Sequence, residues 1–168
     1  PMLLFSPEIL TIAADRGLPE QWVPLCVAVG SAASAAGRLL CPAASDHWGR
    51  KPVLYGVYAA LAAGSIGFAF AQGWWVLAAY CVLTCFYSGG AAVQPALNTD
   101  LFGLAHAGVN YGLIALGMSA GSLLSYAGSQ LLDLPARHML AVASAVAGGI
   151  CFLFVKPVAT VEKQQGNG

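Results

Sequence analysis

The chain has 168 residues, of which 58% are hydrophobic and only 8% charged, whereas an ordinary soluble domain is about 25% charged. Its seven basic and seven acidic residues balance, so there is no basic surface of the kind that binds a row of phosphates, which argues against nucleic acid as a partner. Lipid must be the solvent for most of this chain. We therefore expect an all-α, polytopic transmembrane helix bundle.

Five apolar runs follow one another along the chain, each about as long as the 20 residues that a helix needs to cross a bilayer. They cover residues 23–43, 53–72, 74–97, 109–132 and 137–155. Before them, residues 2–14 look like the outer end of a truncated helix. The links are short, so neighbouring runs must be antiparallel. We expect one transmembrane unit over residues 1–156 and a disordered cytoplasmic tail over residues 157–168.

Basic residues collect on one side of the predicted membrane. That side holds Arg50, Lys51, Lys156 and Lys163, and the other holds Arg16 and Arg137. The positive-inside rule then places residues 45–51 and the carboxy terminus in the cytoplasm, in a multi-pass protein of the plasma (inner) membrane. All four tryptophans lie at ends of predicted spans, as in an aromatic belt.

Small residues are concentrated in two of the runs. In lipid, helices associate by close van der Waals contact, which glycine, alanine and serine permit. The first full span carries Gly30, Ser34 and Gly37 among several such residues, and the fourth carries Gly117 and Gly121, four residues apart. We predict helix packing at Gly117 and Gly121. Static packing and a sliding surface for alternating access are equally compatible with this pattern.

The five cysteines lie in or beside apolar runs, without the spacing of a disulfide scaffold or a zinc site. We interpret them as small packing residues. The predicted spans also contain no paired acidic residues and no nucleophile with a base. We expect no metal, no cofactor and no enzymatic activity.

The most informative segment is the short loop between the first two full spans, with Asp46 followed by Gly49, Arg50 and Lys51. Gly49 permits a tight backbone turn. Asp46 can pair with Arg50 or face the positive end of a helix dipole. An ordinary cytoplasmic turn would explain any one of these residues, but the full string is harder to explain in that way.

This loop resembles the motif found between the eighth and ninth helices of the major facilitator superfamily. Three further segments are Gly37-Arg38-Leu39, Leu101-Phe102-Gly103 and residues 108–112. With the loop, they make the chain similar to the oxalate/formate antiporter family. The resemblance implies the carboxy-terminal half of a secondary active transporter, from the end of helix seven to helix twelve. The amino-terminal half would be missing, with the substrate path between the halves and the loop as a conformational motif.

Arg38 is the basic residue that lies deepest in a predicted span, about 12 Å along the helix from Asp46. A charged side chain near the bilayer centre costs at least about 2.5 to 3.5 kcal/mol unless it faces a cavity or a partner. No acidic residue in the spans is placed to neutralise it, whereas an anionic substrate could. We assign Arg38 and Ser34 to substrate binding. Alternatively, Arg38 snorkels to the inner interface or binds a carbonyl freed by Pro42.

The sequence departs from the resembled family at one informative position. Carriers of oxalate have a second cation, a lysine, in the eleventh helix, where Met118 stands here. We therefore expect a small organic anion, preferably a monocarboxylate, carried by antiport or proton coupling. A major facilitator carrier of a neutral solute or drug, or a non-transporting scaffold subunit, remains the alternative.

Overall fold

The computed structural model describes residues 9–104 and 106–154, and within these residues the chain is helical without a strand. Its elements are α1 (Ile9–Asp15), a 3-10 turn (Glu20–Trp22), α2 (Val23–Trp48), α3 (Arg50–Phe70), α4 (Trp74–Phe102), α5 (Ala107–Leu131) and α6 (Leu134–Leu153). Helices α2 to α6 are long and apolar enough to cross a membrane. The prediction of an all-α bundle with five spans is confirmed. The start of the predicted truncated helix and the predicted tail lie outside the described residues.

Helix α2 extends five residues beyond its predicted end at position 43, through Asp46 to Trp48. Hydropathy located the apolar part of the helix, but backbone hydrogen bonding continues past it into the polar loop motif. Gly49 then separates α2 from α3 with a φ of 89°, a left-handed conformation that glycine adopts without a steric penalty. The expected tight turn is therefore a single residue.

The tightest contact of the fold joins α2 to α4. A Cβ added to Gly37 would overlap the carbonyl oxygen of Cys85, and one added to Gly89 would lie 2.8 Å from the carbonyl oxygen of Gly37. Between these points, Ser34 Oγ donates to Ser88 Oγ at 3.0 Å, and Ser88 Oγ donates to the backbone oxygen of Ser34 at 2.7 Å. The small residues of the first full span thus form a close-packing face, and its partner is α4.

Arg16 joins three chain segments at the other end of the bundle from Gly49, here called the Arg16 end. Its guanidinium donates to the carbonyl oxygens of Phe68 and Ala71, the latter at 3.3 Å, and lies 3.2 Å from His138 Nε2. Its backbone oxygen accepts a hydrogen bond from Gly73 N at 2.8 Å. Partial burial lowers the pKa of Arg16 from its ordinary value. The links after α1 and α3 and the start of α6 are thereby held together.

Helix α5 is the least enclosed of the spanning helices. Gly117 and Gly121 are exposed, and a Cβ added to either would have no atom within 4 Å. Neither glycine makes the predicted helix contact within the described residues. At Gly121 a cleft of about 440 Å³ separates α5 from α3, α4 and α6. At its amino-terminal end α5 is tied to α4, where Asn98 Nδ2 donates to the carbonyl oxygen of Ala107 at 3.0 Å.

Candidate functional site

A groove of about 630 Å³ runs along α2 and α4 beside α1. Arg38 and Ser34, the two residues predicted to bind substrate, both line it, together with Ser31, Tyr80 and Thr84. They share it because positions 31, 34 and 38 lie on one face of an α-helix. The opposite wall of the groove belongs to α4, and the tight contact between α2 and α4 fixes its position.

Arg38 is the charged group of this groove. Its side chain is exposed, and in the described parts of the chain it takes part in no hydrogen bond or ion pair. It lies about 15 Å along the axis of α2 from the helix end at Trp48. All five N–H donors of the guanidinium are consequently available to an anion.

The serine and threonine hydroxyl groups of the groove are already committed as donors. Ser34 donates to Ser88, Ser31 donates to the backbone oxygen of Val27 at 2.8 Å, and Thr84 donates to the backbone oxygen of Tyr80 at 2.6 Å. Because each hydroxyl has a single hydrogen, Ser34 can only accept from a ligand while it keeps its bond to Ser88. The geometry thus gives Ser34 a packing role, and Arg38 is the charged donor of the groove.

A second polar cluster lies at the Gly49 end, around Arg50. Arg50 Nη1 is 2.5 Å from Asp46 Oδ1 and 2.7 Å from Ser45 Oγ, and Arg50 Nε is 3.1 Å from Asp100 Oδ2. The expected pair of Asp46 and Arg50 is present. Arg50 therefore joins the end of α2, the start of α3 and the end of α4, while Lys51 stands beside it in the first turn of α3.

Sequence reasoning did not identify Asp100 as a partner of Arg50. The available signal was that Asp100 ends an apolar run on the same predicted side of the membrane as Arg50. Side-chain exposure is 64% for Asp46 and 52% for Asp100, so these ion pairs are well hydrated and each stabilises the fold by at most about 1 kcal/mol.

Met118, which the sequence comparison placed at the position of a second cation, does not face Arg38 in this structure. It lines the cleft between α3, α4, α5 and α6, whereas the Arg38 groove is formed by α1, α2 and α4. The two positions therefore belong to separate surfaces of the described helices.

The cysteines are free thiols, and two of them, Cys26 and Cys41, are buried. Cys41 packs against Gly89 at the contact between α2 and α4. Among residues 9–104 and 106–154, no three histidine, cysteine or acidic side chains are grouped closely enough to hold a metal ion.

The family of this chain is identified by comparison with known protein families. The model of the Major Facilitator Superfamily matches residues 2–167, almost the whole chain. The chain belongs to the Major Facilitator Superfamily. No curated protein and no solved structure matches it.

Members of this superfamily are transporters and not enzymes, and the five apolar helices of this major facilitator chain make it a multi-pass membrane protein. The loop from Asp46 to Lys51 and the groove of Arg38 are thus features of a transporter. In major facilitator proteins, substrate sites lie near the bilayer midplane between structural repeats.

Proposed function

We propose that this chain is the carboxy-terminal half of a secondary active transporter for a small organic anion, preferably a monocarboxylate. The transporter would resemble the oxalate/formate antiporters and work by antiport or proton coupling. The observation that supports this proposal is the position of Arg38, which lies deep along α2 in an open groove with no ion pair in the described residues.

The free-energy cost of an unpaired cation at bilayer depth favours an anionic substrate at this position. At bilayer depth an uncompensated arginine costs at least about 2.5 to 3.5 kcal/mol. A carboxylate that accepts two parallel N–H bonds from the guanidinium offsets that cost and gives the substrate a defined orientation. Because the groove offers a single cation, one carboxylate per substrate is the simplest match.

The partner of this half is the amino-terminal half of the same transporter. Two such halves would rock about a substrate held near the midplane, within the lipid bilayer. The cluster of Asp46, Arg50 and Asp100 would hold together the cytoplasmic ends of α2, α3 and α4 in one of the two states. In this proposal the carboxy terminus lies in the cytoplasm.

The test is uptake of labelled formate, lactate, pyruvate and oxalate by proteoliposomes that contain the full-length protein. We expect Arg38→Ala to lower carboxylate uptake about tenfold or more, because a charge-assisted hydrogen bond is lost. Leu40→Ala, an exposed neighbour on α2, is the matched control and should be silent. Undiminished uptake by correctly inserted Arg38→Ala protein would refute the proposal.

Arg38→Lys distinguishes an arginine that binds the substrate carboxylate from one that snorkels to the membrane interface. A lysine that reaches the interface can replace a snorkelling arginine, but it cannot make a bidentate contact with a carboxylate. We expect Arg38→Lys to be impaired. If the unmodified protein transports no carboxylate, the anion proposal fails and the protein is a carrier of uncharged solutes. If it transports no solute at all, it is a scaffold subunit.

A further inference from the structure

The cleft between α3, α4, α5 and α6 is a second concave surface, distinct from the Arg38 groove. Its volume of about 440 Å³ lies within the range of about 300 to 1,000 Å³ that small-molecule sites occupy. Its lining is largely apolar, its polar members include Tyr58, Tyr87, Gln94 and Ser144, and it contains no acidic or basic residue. Such a lining fits an uncharged molecule.

One wall of the cleft presents hydrogen-bond acceptors that lack donors. Gln94 Oε1 is buried and has no hydrogen-bond partner in the described part of the chain. Pro95 has no N–H, so the carbonyl of Ala91, which also lines the cleft, loses its usual helical donor. Ser144 donates to its own helix, to the backbone oxygen of Ala141 at 2.9 Å. An occupant of the cleft that carries an N–H or O–H group would supply such a donor.

The side chain of Gln94 is able to turn toward such an occupant, because the terminal torsion of glutamine has no narrow preferred angle. Room for the occupant lies across the cleft at Gly121, where an added Cβ would meet no atom within 4 Å. By contrast, α3 and α4 are held close together, since a Cβ added to Gly90 would be 2.9 Å from Val57 Cγ1. The open side of the cleft is thus the α5 side.

We infer that this cleft binds an uncharged amphipathic molecule with an apolar body and one N–H or O–H donor directed at Gln94. A carboxylate fits poorly, because the lining of the cleft contains no cation to offset its charge. The inference goes beyond the proposed anion transport, since none of the residues that form the cleft belongs to the Arg38 groove.

N-phenyl-1-naphthylamine is a suitable probe, because it is uncharged at neutral pH, carries one N–H, and fluoresces more strongly in apolar surroundings. It would be titrated into the purified protein in lipid nanodiscs, with empty nanodiscs measuring its partition into lipid. We expect a saturable increase with the unmodified protein. Gln94→Leu, which keeps the volume but removes the acceptor, should weaken binding about tenfold.

Gly121→Leu and Gly117→Leu form a matched pair one helical turn apart on α5. Gly121 lines the cleft and Gly117 does not, while both are exposed with no neighbour at the Cβ position. We expect Gly121→Leu to abolish saturable binding and Gly117→Leu to leave it unchanged. Equal binding by these two variants, or no saturable signal above that of empty nanodiscs, would overturn the inference.

Arg38→Ala distinguishes this site from the anion site. We expect it to leave the affinity for the probe unchanged even where it abolishes carboxylate uptake. If Arg38→Ala weakened probe binding as strongly as Gly121→Leu, the probe would occupy the Arg38 groove and the cleft would not be the site. If the unmodified protein moved no carboxylate, while Gly121→Leu lost the probe and Arg38→Ala kept it, the anion proposal would fail and the cleft would stand.

Discussion

Arg50 Nε and Asp100 Oδ2 lie 3.1 Å apart although 50 residues separate them along the chain. This contact brings the end of α4 to the loop between α2 and α3. A loop motif that the sequence shows as a local feature is therefore part of a contact among three helices.

The first prediction concerns the strength of that contact. A double-mutant cycle with Arg50→Ala and Asp100→Asn should give a coupling free energy of about 0.2 to 1 kcal/mol, because the pair is hydrated and half of the Asp100 side chain is exposed. The free energy of unfolding would be measured by SDS titration in mixed micelles. Asp15→Asn, an exposed acid at the Arg16 end, serves as the control. A coupling above about 3 kcal/mol would contradict the hydrated geometry.

The second prediction compares glycines in two environments. Gly37→Ala should destabilise the protein by about 1 to 3 kcal/mol, because the new methyl group would overlap the backbone of Cys85. Gly121→Ala should be neutral or stabilising by up to about 1 kcal/mol, since alanine is the better helix former and the site is open. The same SDS titration measures both. Equal effects at the two positions would show that α2 and α4 are not packed as described.

The third prediction concerns Arg16. Arg16→Lys retains the charge, but an ammonium group cannot replace the planar fork that reaches two carbonyl oxygens and His138. We expect a loss of about 1 to 3 kcal/mol in unfolding free energy, since buried acceptors would remain unsatisfied. Glu20→Gln, an exposed neighbour in the same link, should be silent. Wild-type stability of Arg16→Lys would mean that the carbonyl contacts carry little free energy.

The fourth prediction separates packing from substrate binding at Ser34. Ser34→Ala removes the donor to Ser88 and should destabilise the protein by about 1 kcal/mol. Carboxylate uptake per correctly folded molecule should stay close to the wild-type rate, because the hydroxyl hydrogen is not offered to the groove. Ser122→Ala is the matched control, since Ser122 donates only within its own helix, to the backbone oxygen of Met118. Loss of carboxylate uptake in Ser34→Ala protein of normal stability would contradict this prediction and show that Ser34 binds substrate.

Much of the fold was predictable because lipid imposes simple rules on sequence. The length of each apolar run located α2 to α6, and the small residues of the first full span identified the face that packs most closely. The pair of Asp46 and Arg50 was predictable for another reason, since the loop between the two spans is too short to separate these opposite charges.

The other features of the fold and of the candidate site depend on contacts between residues that are far apart in the sequence. The spacing of Gly117 and Gly121 shows that a helix could approach α5 there, but not that one does. The donor of Ser34 is committed to Ser88, 54 residues away, and no local pattern reveals this. Likewise, the deep position of Arg38 could be estimated from the helical rise, whereas the separation of its groove from the cleft of Met118 required the arrangement of the helices.

The contact of Gly37 with Cys85 also constrains the order of biogenesis. The two residues lie on helices separated in sequence by the whole of α3, so their contact cannot form until α4 has left the ribosome. Until then α2 exposes its glycine face to the translocon and the surrounding lipid. Assembly of this unit therefore waits for the insertion of its third full span.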